Sequence, residues 1–156
     1  RHRSAALRAV AHLGPRVPLG CAGIVVGALS DSDGPTRLLA ASAVGAARAT
    51  IARDAEAMRA LEASLANSEP GVRIAAAHAA GEMGEEARPL AAAVAALLSD
   101  DAEDNSVLAA QMGTASRRPP PQLRRPRCAA LAALGRIGDV AHVDAVTSAL
   151  GDVRWE

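Results

Sequence analysis

Apolar residues along this chain recur at helical rather than alternating spacing, and the same pattern returns four times. The segments 3–14, 37–48, 73–84 and 127–138 superpose without gaps. Each opens with an arginine: Arg3, Arg37, Arg73 and Arg127. Three residues later stand Ala6, Ala40, Ala76 and Ala130, and six residues later Ala9, Ala43, Ala79 and Ala133. The eleventh residue is Gly14, Gly84 and Gly138 in three copies and Arg48 in the second. Positions three, six, seven and ten after the arginine make one apolar stripe on a 3.6-residue period, which predicts a helix in every copy. In the fourth copy the stripe is Ala130, Ala133, Leu134 and Ile137. Small side chains there let neighbouring helices approach closely, and the closing glycine suits the positive φ of a helix C′ position.

A second helix is predicted after each of these. Its apolar positions are Leu19, Ile24, Val25 and Leu29 in the first unit, and Met58, Leu61 and Leu65 in the second. Leu90, Val94 and Leu97 serve the third, and Val143, Val146 and Leu150 the fourth. Polar turns such as 30–35 and 67–70 join the units, with Pro35 and Pro70 at helix starts that tolerate a missing N–H. The opening arginines are spaced by 34, 36 and 54 residues. The first two intervals suit a two-helix repeat; the third marks an insertion. The expected units are about 1–34, 35–70, 71–98 and 124–156, with an inserted loop at about 99–123. The usual turn length counted from Leu150 puts the next opening arginine just past the last residue; alternatively, a further unit opens at Val153-Arg154, which echoes Val72-Arg73. Either way the chain is expected to be a segment of a longer array.

The motif resembles the HEAT repeat family, and within it the short Ala-rich subtype named for phycobilisome (bilin) lyases. That subtype reads roughly Leu-x-Asp-x-x-x-x-Val-Arg-x-x-Ala-Ala-x-Ala-Leu-Gly. Leu65 to Gly81 follows it, with Asn67 in place of the Asp and Ala80 in place of the Leu. The resemblance implies an all-α fold, an armadillo-like α-solenoid of about four two-helix units. It also implies a ladder of turn acids and arginines, in which Asp31 or Asp33 faces Arg37 and Glu69 faces Arg73. Such pairs fix the turns; exposed ones contribute only about 0–1 kcal/mol each. The family serves many functions by varying its surface, so the resemblance carries fold further than function.

Composition changes this picture in one respect. Phe, Tyr and Lys are absent and the one Trp is Trp155, so the core must be built from Ala, Leu, Val, Ile and Met. That suits closely packed helices. The 17 basic residues, all Arg, balance 17 acids, whereas a phosphate-gripping domain normally carries a basic excess. No stretch is long and apolar enough to span a bilayer. Cys21 and Cys128 lie at opposite ends of the stack, too far apart to pair. They read as small core residues and fit a reducing, intracellular compartment.

The insertion holds an acidic block, Asp100-Asp101-Ala102-Glu103-Asp104, then an apolar piece, 107–110, then an Arg- and Pro-rich run from Arg117 to Pro126. It is either a loop tolerated at little entropic cost or a docking element. Its Pro run meets no SH3-type PxxP motif, because Gln122, Leu123 and Arg124 stand where a second Pro is needed. Arg117, Arg118, Arg124 and Arg125 are the candidate phosphate contacts, but no aromatic residue stands beside them for base stacking, and the acidic block can neutralise them internally.

Chemistry is hard to find. His12 and His78 occupy different positions of their units, and no His-Glu pair occurs of the kind used by iron-binding HEAT hydroxylases. Two distant cysteines supply no zinc half-site. There is no phosphate loop and no nucleophile elbow. His142 and Asp144 are expected on different helix faces. No catalytic residue, metal or cofactor is assigned.

In a HEAT solenoid the second helices line the concave face. Gly20, Gly23, Gly27 and Ala28 are left there by the first unit, Arg59 and Glu62 by the second, with Glu56 beside them, and Ala91, Ala92 and Ala95 by the third. This small-residue surface either packs against a partner helix or subunit, or is Ala used as filler. The expected function is a non-catalytic protein–protein interaction scaffold within a larger assembly. The alternative is a bilin lyase or chromophore chaperone; nucleic-acid binding through the arginine loop ranks below both.

Overall fold

The computed structural model describes residues 2–104 and 124–150, and among these every regular element is helical. The repeated motif forms four helices: α1 (His2–Leu13), α3 (Gly34–Ala46), α6 (Pro70–Met83) and α8 (Pro126–Ile137). Between and after them lie α2 (Ala22–Gly27), α4 (Arg48–Ala52), α5 (Ala55–Leu65), α7 (Ala91–Ala96) and α9 (Val143–Leu150). Tight three-residue-per-turn segments extend α2 and α7 at both ends; one of them, Gly84–Leu90, contains Pro89. Proline has no N–H to bond back along a helix and its ring crowds the preceding turn, so α7 opens only at Ala91.

Local chemistry explains where the motif helices begin and end. Pro35, Pro70 and Pro126 sit in first turns, where the absent N–H is no loss. Asp33 caps α3 by accepting the Thr36 amide at 2.9 Å, and Asp54 caps α5 by accepting the amides of Glu56 and Ala57 at 3.0 Å. Gly14, Gly84 and Gly138 take the positive φ their position requires, at 53°, 64° and 67°. The second copy has Arg48 there instead. The chain consequently avoids the left-handed turn: α3 closes at Ala47 and α4 begins at once.

The motif helices pack in chain order. α3 packs on both α1 and α6, and α6 on both α3 and α8. Helix α5 lies against α2 and α6, while α7 lies against α8. The stripe residues of the inner copies are buried throughout: Ala40, Ala43, Val44 and Ala47; Ala76, Ala79, Ala80 and Met83; Ala130, Ala133, Leu134 and Ile137. Glycine permits two close crossings. A Cβ at Gly45 would collide with Glu82 on α6, and one at Gly81 would press within 3.0 Å of the Ala133 backbone on α8.

Some second-helix positions read as apolar and inward are not enclosed. Leu19 (50 % exposed) and Ile24 (76 %) face solvent, and Val26 takes the buried place in α2 beside Val25 and Leu29. The tight turn before α2 and the brevity of that helix shift its register away from a regular 3.6-residue stripe. Val143 is likewise exposed, and Val146 only partly covered. The two cysteines are free and half-buried, Cys21 against the core. Burial pushes the Cys128 thiol above its ordinary range, with Arg127 and Arg125 opposing.

Candidate functional site

Two surfaces collect the residues singled out by the sequence. The first is the side formed by α2, α5 and α7. Arg59 and Glu62 are exposed on α5, and the Arg59 Nε donates to the Ala55 carbonyl one turn back at 3.2 Å. Ala92 is exposed on α7, and Ala95 is half-buried against the core. Ala91 does not belong to this surface. It is fully enclosed, because the last residue of the preceding tight turn, Leu90, and the first of α7 both point inward to meet the core. Around α2 the glycines at 20, 23 and 27 face open space, with nothing within 4 Å of an added Cβ. Next to them Ile24, Val25 and Ala28 meet Leu7 and Val10 of α1 around a cleft of about 370 Å³.

The second surface is a line of ion pairs along the N-terminal ends of the motif helices, and it departs from the expected ladder. Arg37 does not take a carboxylate of the turn before it. Its Nη1 donates to the backbone carbonyls of Asp31 (2.8 Å) and Ser32 (3.2 Å). Arg73 repeats this geometry with the carbonyls of Asn67 and Ser68, both at 2.8 Å. The carboxylates come from the turn after the unit's second helix: Asp31 pairs with Arg3, and Asp100 with Arg73 at 2.6 Å. Glu69 is therefore not the carboxylate of this pair. Asn67 stands at the corresponding position for Arg37 and has no charge; there Asp104 supplies the carboxylate, at 3.1 Å. The Asp33 amide donates to Asp31, which holds the Asp31 carboxyl below its ordinary range, and the Arg3 guanidinium adds to this.

The acidic block thus reaches much further than its own loop. Asp100 and Asp104 bind Arg73 and Arg37, Asp101 binds Arg127, and Glu103 binds Arg124. The Asp104 amide also donates to the Arg124 carbonyl at 2.7 Å. Arg124, assigned from sequence as a phosphate contact, is buried in this pair. Arg125 is half-buried, and its carbonyl accepts the Ala129 amide at the start of α8. Arg117 and Arg118 lie outside the described residues. The sequence carried a signal for Asp100, since Leu98-Ser99-Asp100 repeats Leu29-Ser30-Asp31 one residue closer to its motif arginine. Nothing in it pointed to Asp101 and Glu103 meeting arginines at the start of α8, or to Asp104 meeting one on α3.

Further pairs cross between helices: Glu82 of α6 with Arg136 of α8, and Glu86 with Arg48 at 3.6 Å. His142 pairs with Asp139, its Nδ1 lying 3.1 Å from the carboxylate. The Ala141 amide lowers the Asp139 pKa and His142 assists. His78 borders a cleft of about 210 Å³ with Leu38, Ser42 and Glu82. Among the described residues no group of three His, Cys, Asp or Glu side chains is placed to hold a metal ion, and no helix is long and apolar enough to cross a membrane.

No protein-family model, curated protein or solved structure matches the chain. The likeness to HEAT repeats rests on the motif itself.

Proposed function

We propose that this chain is a non-catalytic protein–protein interaction scaffold, an α-solenoid of HEAT-type two-helix units serving a larger assembly. The observation that carries the reading is the packing of the motif helices in chain order, α1 to α3 to α6 to α8, through equivalent small residues. Successive units that bury only their neighbours leave a long side surface for partners. The side of α2, α5 and α7 suits another protein's helix. Its small residues allow close approach, and Arg59 and Glu62 supply charges on α5. Ala92 is the best place to test this, because it is exposed and lies outside the core.

The experiment is cross-linking mass spectrometry of the chain in its native source, comparing wild type with Ala92→Arg. The expected result is that cross-links to a partner are lost while the helical circular dichroism stays unchanged. Unchanged cross-links with an intact fold would exclude this surface. An absorbance shift on mixing the protein with a bilin would replace the scaffold reading with a chromophore-handling one.

A further inference from the structure

We infer that the line of arginines at the N-terminal ends of the motif helices is a binding groove for an acidic peptide, and that the chain's own Asp100–Asp104 segment is its resident occupant. This surface is distinct from the side of α2, α5 and α7, so the two readings stand or fall separately.

The groove has three contributors far apart in sequence. Arg37 comes from α3, Arg73 from α6, and Arg124 with Arg127 from the start of α8. Their side chains are well enclosed, Arg127 retaining 3 % of its exposure, Arg37 and Arg124 9 % and Arg73 14 %. Guanidinium groups so far removed from water are costly unless a carboxylate sits against them. Two of the four, Arg37 and Arg73, also donate to turn carbonyls, which orients their remaining N–H groups. The fork is thereby aimed before any carboxylate arrives, a geometry suited to carboxylate recognition.

The occupant is built differently from the groove. Residues 101–104 belong to no helix. Asp101 keeps 53 % of its side-chain exposure and Glu103 29 %, while Asp100 and Asp104 keep 17 % and 13 %, so the middle of the segment lies over the arginines and its two ends are enclosed against them. Gly71 lies directly beneath, where any Cβ would collide with the Arg37 guanidinium and the Asp104 carboxylate. The glycine at the start of α6 is what lets a carboxylate seat there.

Five consecutive residues thus place four carboxylates on four arginines. Another strand of similar acidic spacing would exchange like for like, with no buried charge left bare in the final state. Besides these pairs and the bond from the Asp104 amide to the Arg124 carbonyl, the resident segment has the advantage of its tether. A segment joined to its own site acts at an effective concentration on the order of mM. A free peptide of the same sequence must compete with that, so wild type should bind it weakly.

The test uses a fluorescein-labelled peptide of residues 99–104 (Ser-Asp-Asp-Ala-Glu-Asp) and reads anisotropy at low salt. The full chain is compared with a variant carrying Asp100→Asn, Asp101→Asn, Glu103→Gln and Asp104→Asn. The expected result is at least about tenfold tighter binding to the neutralised variant, as removal of a tethered competitor requires. That binding should weaken as salt rises and be absent for a peptide with Asn and Gln in place of the acids. Equal affinity for both proteins, or equal binding of the neutral peptide, would overturn the proposal. A milder variant, Asp101→Asn with Glu103→Gln, keeps Asp100 and Asp104 and should show the same change more weakly. Loss of the helical signal in both variants would make the acidic segment a permanent part of the fold, and would equally overturn it.

Discussion

The first motif helix and the inner ones share a residue pattern and differ in what covers it. In α3, α6 and α8 the stripe at positions three, six, seven and ten is buried throughout. In α1 the equivalent Ala6, Ala9 and Leu13 are exposed and Val10 is half-buried. The inner helices each have helical neighbours that cover this side, such as α5 against α6 and α7 against α8. Helix α1 packs on α3 and buries Leu7 instead. An apolar stripe is thus a capacity for packing, and only a neighbour turns it into stability.

Equivalent substitutions on the two sides should separate sharply. The largest difference is expected at position ten. Met83→Ala empties a fully enclosed site, which typically costs about 2–5 kcal/mol. Leu13→Ala removes a side chain already 48 % exposed and should cost under about 1 kcal/mol. Urea unfolding of the two variants measures this directly; equal losses would show that α1 is covered in solution.

Position eight gives a contrast of sign. Gly45→Ala gains helix propensity but drives a methyl into Glu82, and overpacking of this kind costs about 1–3 kcal/mol. Gly135→Ala meets nothing within 4 Å, so it should stabilise by about 0.5–1 kcal/mol. Thermal midpoints moving in opposite directions are the expected outcome. A destabilising Gly135→Ala would place another surface against α8.

The smallest effect concerns Asp31, the carboxylate serving α1. Its pKa is lowered in the folded state from 3.8, so the stability it contributes is fully present above that value and is lost as pH falls through the lower folded one. Wild type and Asp31→Asn should differ in thermal midpoint at neutral pH and converge under strongly acidic conditions. The difference should shrink with salt, because Arg3 is exposed.

Local pattern revealed the motif helices because their signals are short-range. Pro70 and Pro126 open helices, Gly84 and Gly138 close them, and Ala76, Ala79 and Ala80 mark the covered face. It was less informative for α2, where tight turns break the period and put Ile24 outside and Val26 inside. The side surface was legible in Arg59, Glu62 and Ala92, whose exposure follows from helical spacing. Ala91 was not, because the preceding turn sets its direction.

The line of ion pairs marks the boundary most clearly. From residue order alone came the repeated arginines, the turn acids and the existence of an acidic block at 100–104, since each is a local pattern of residue types. Which carboxylate meets which arginine was settled in space. Asp104 reaches Arg37 across 67 positions because α3, α6 and α8 bring their N-terminal ends together, and because Gly71 leaves room beneath. Charge type can be read along a chain; charge pairing depends on helices that first have to pack.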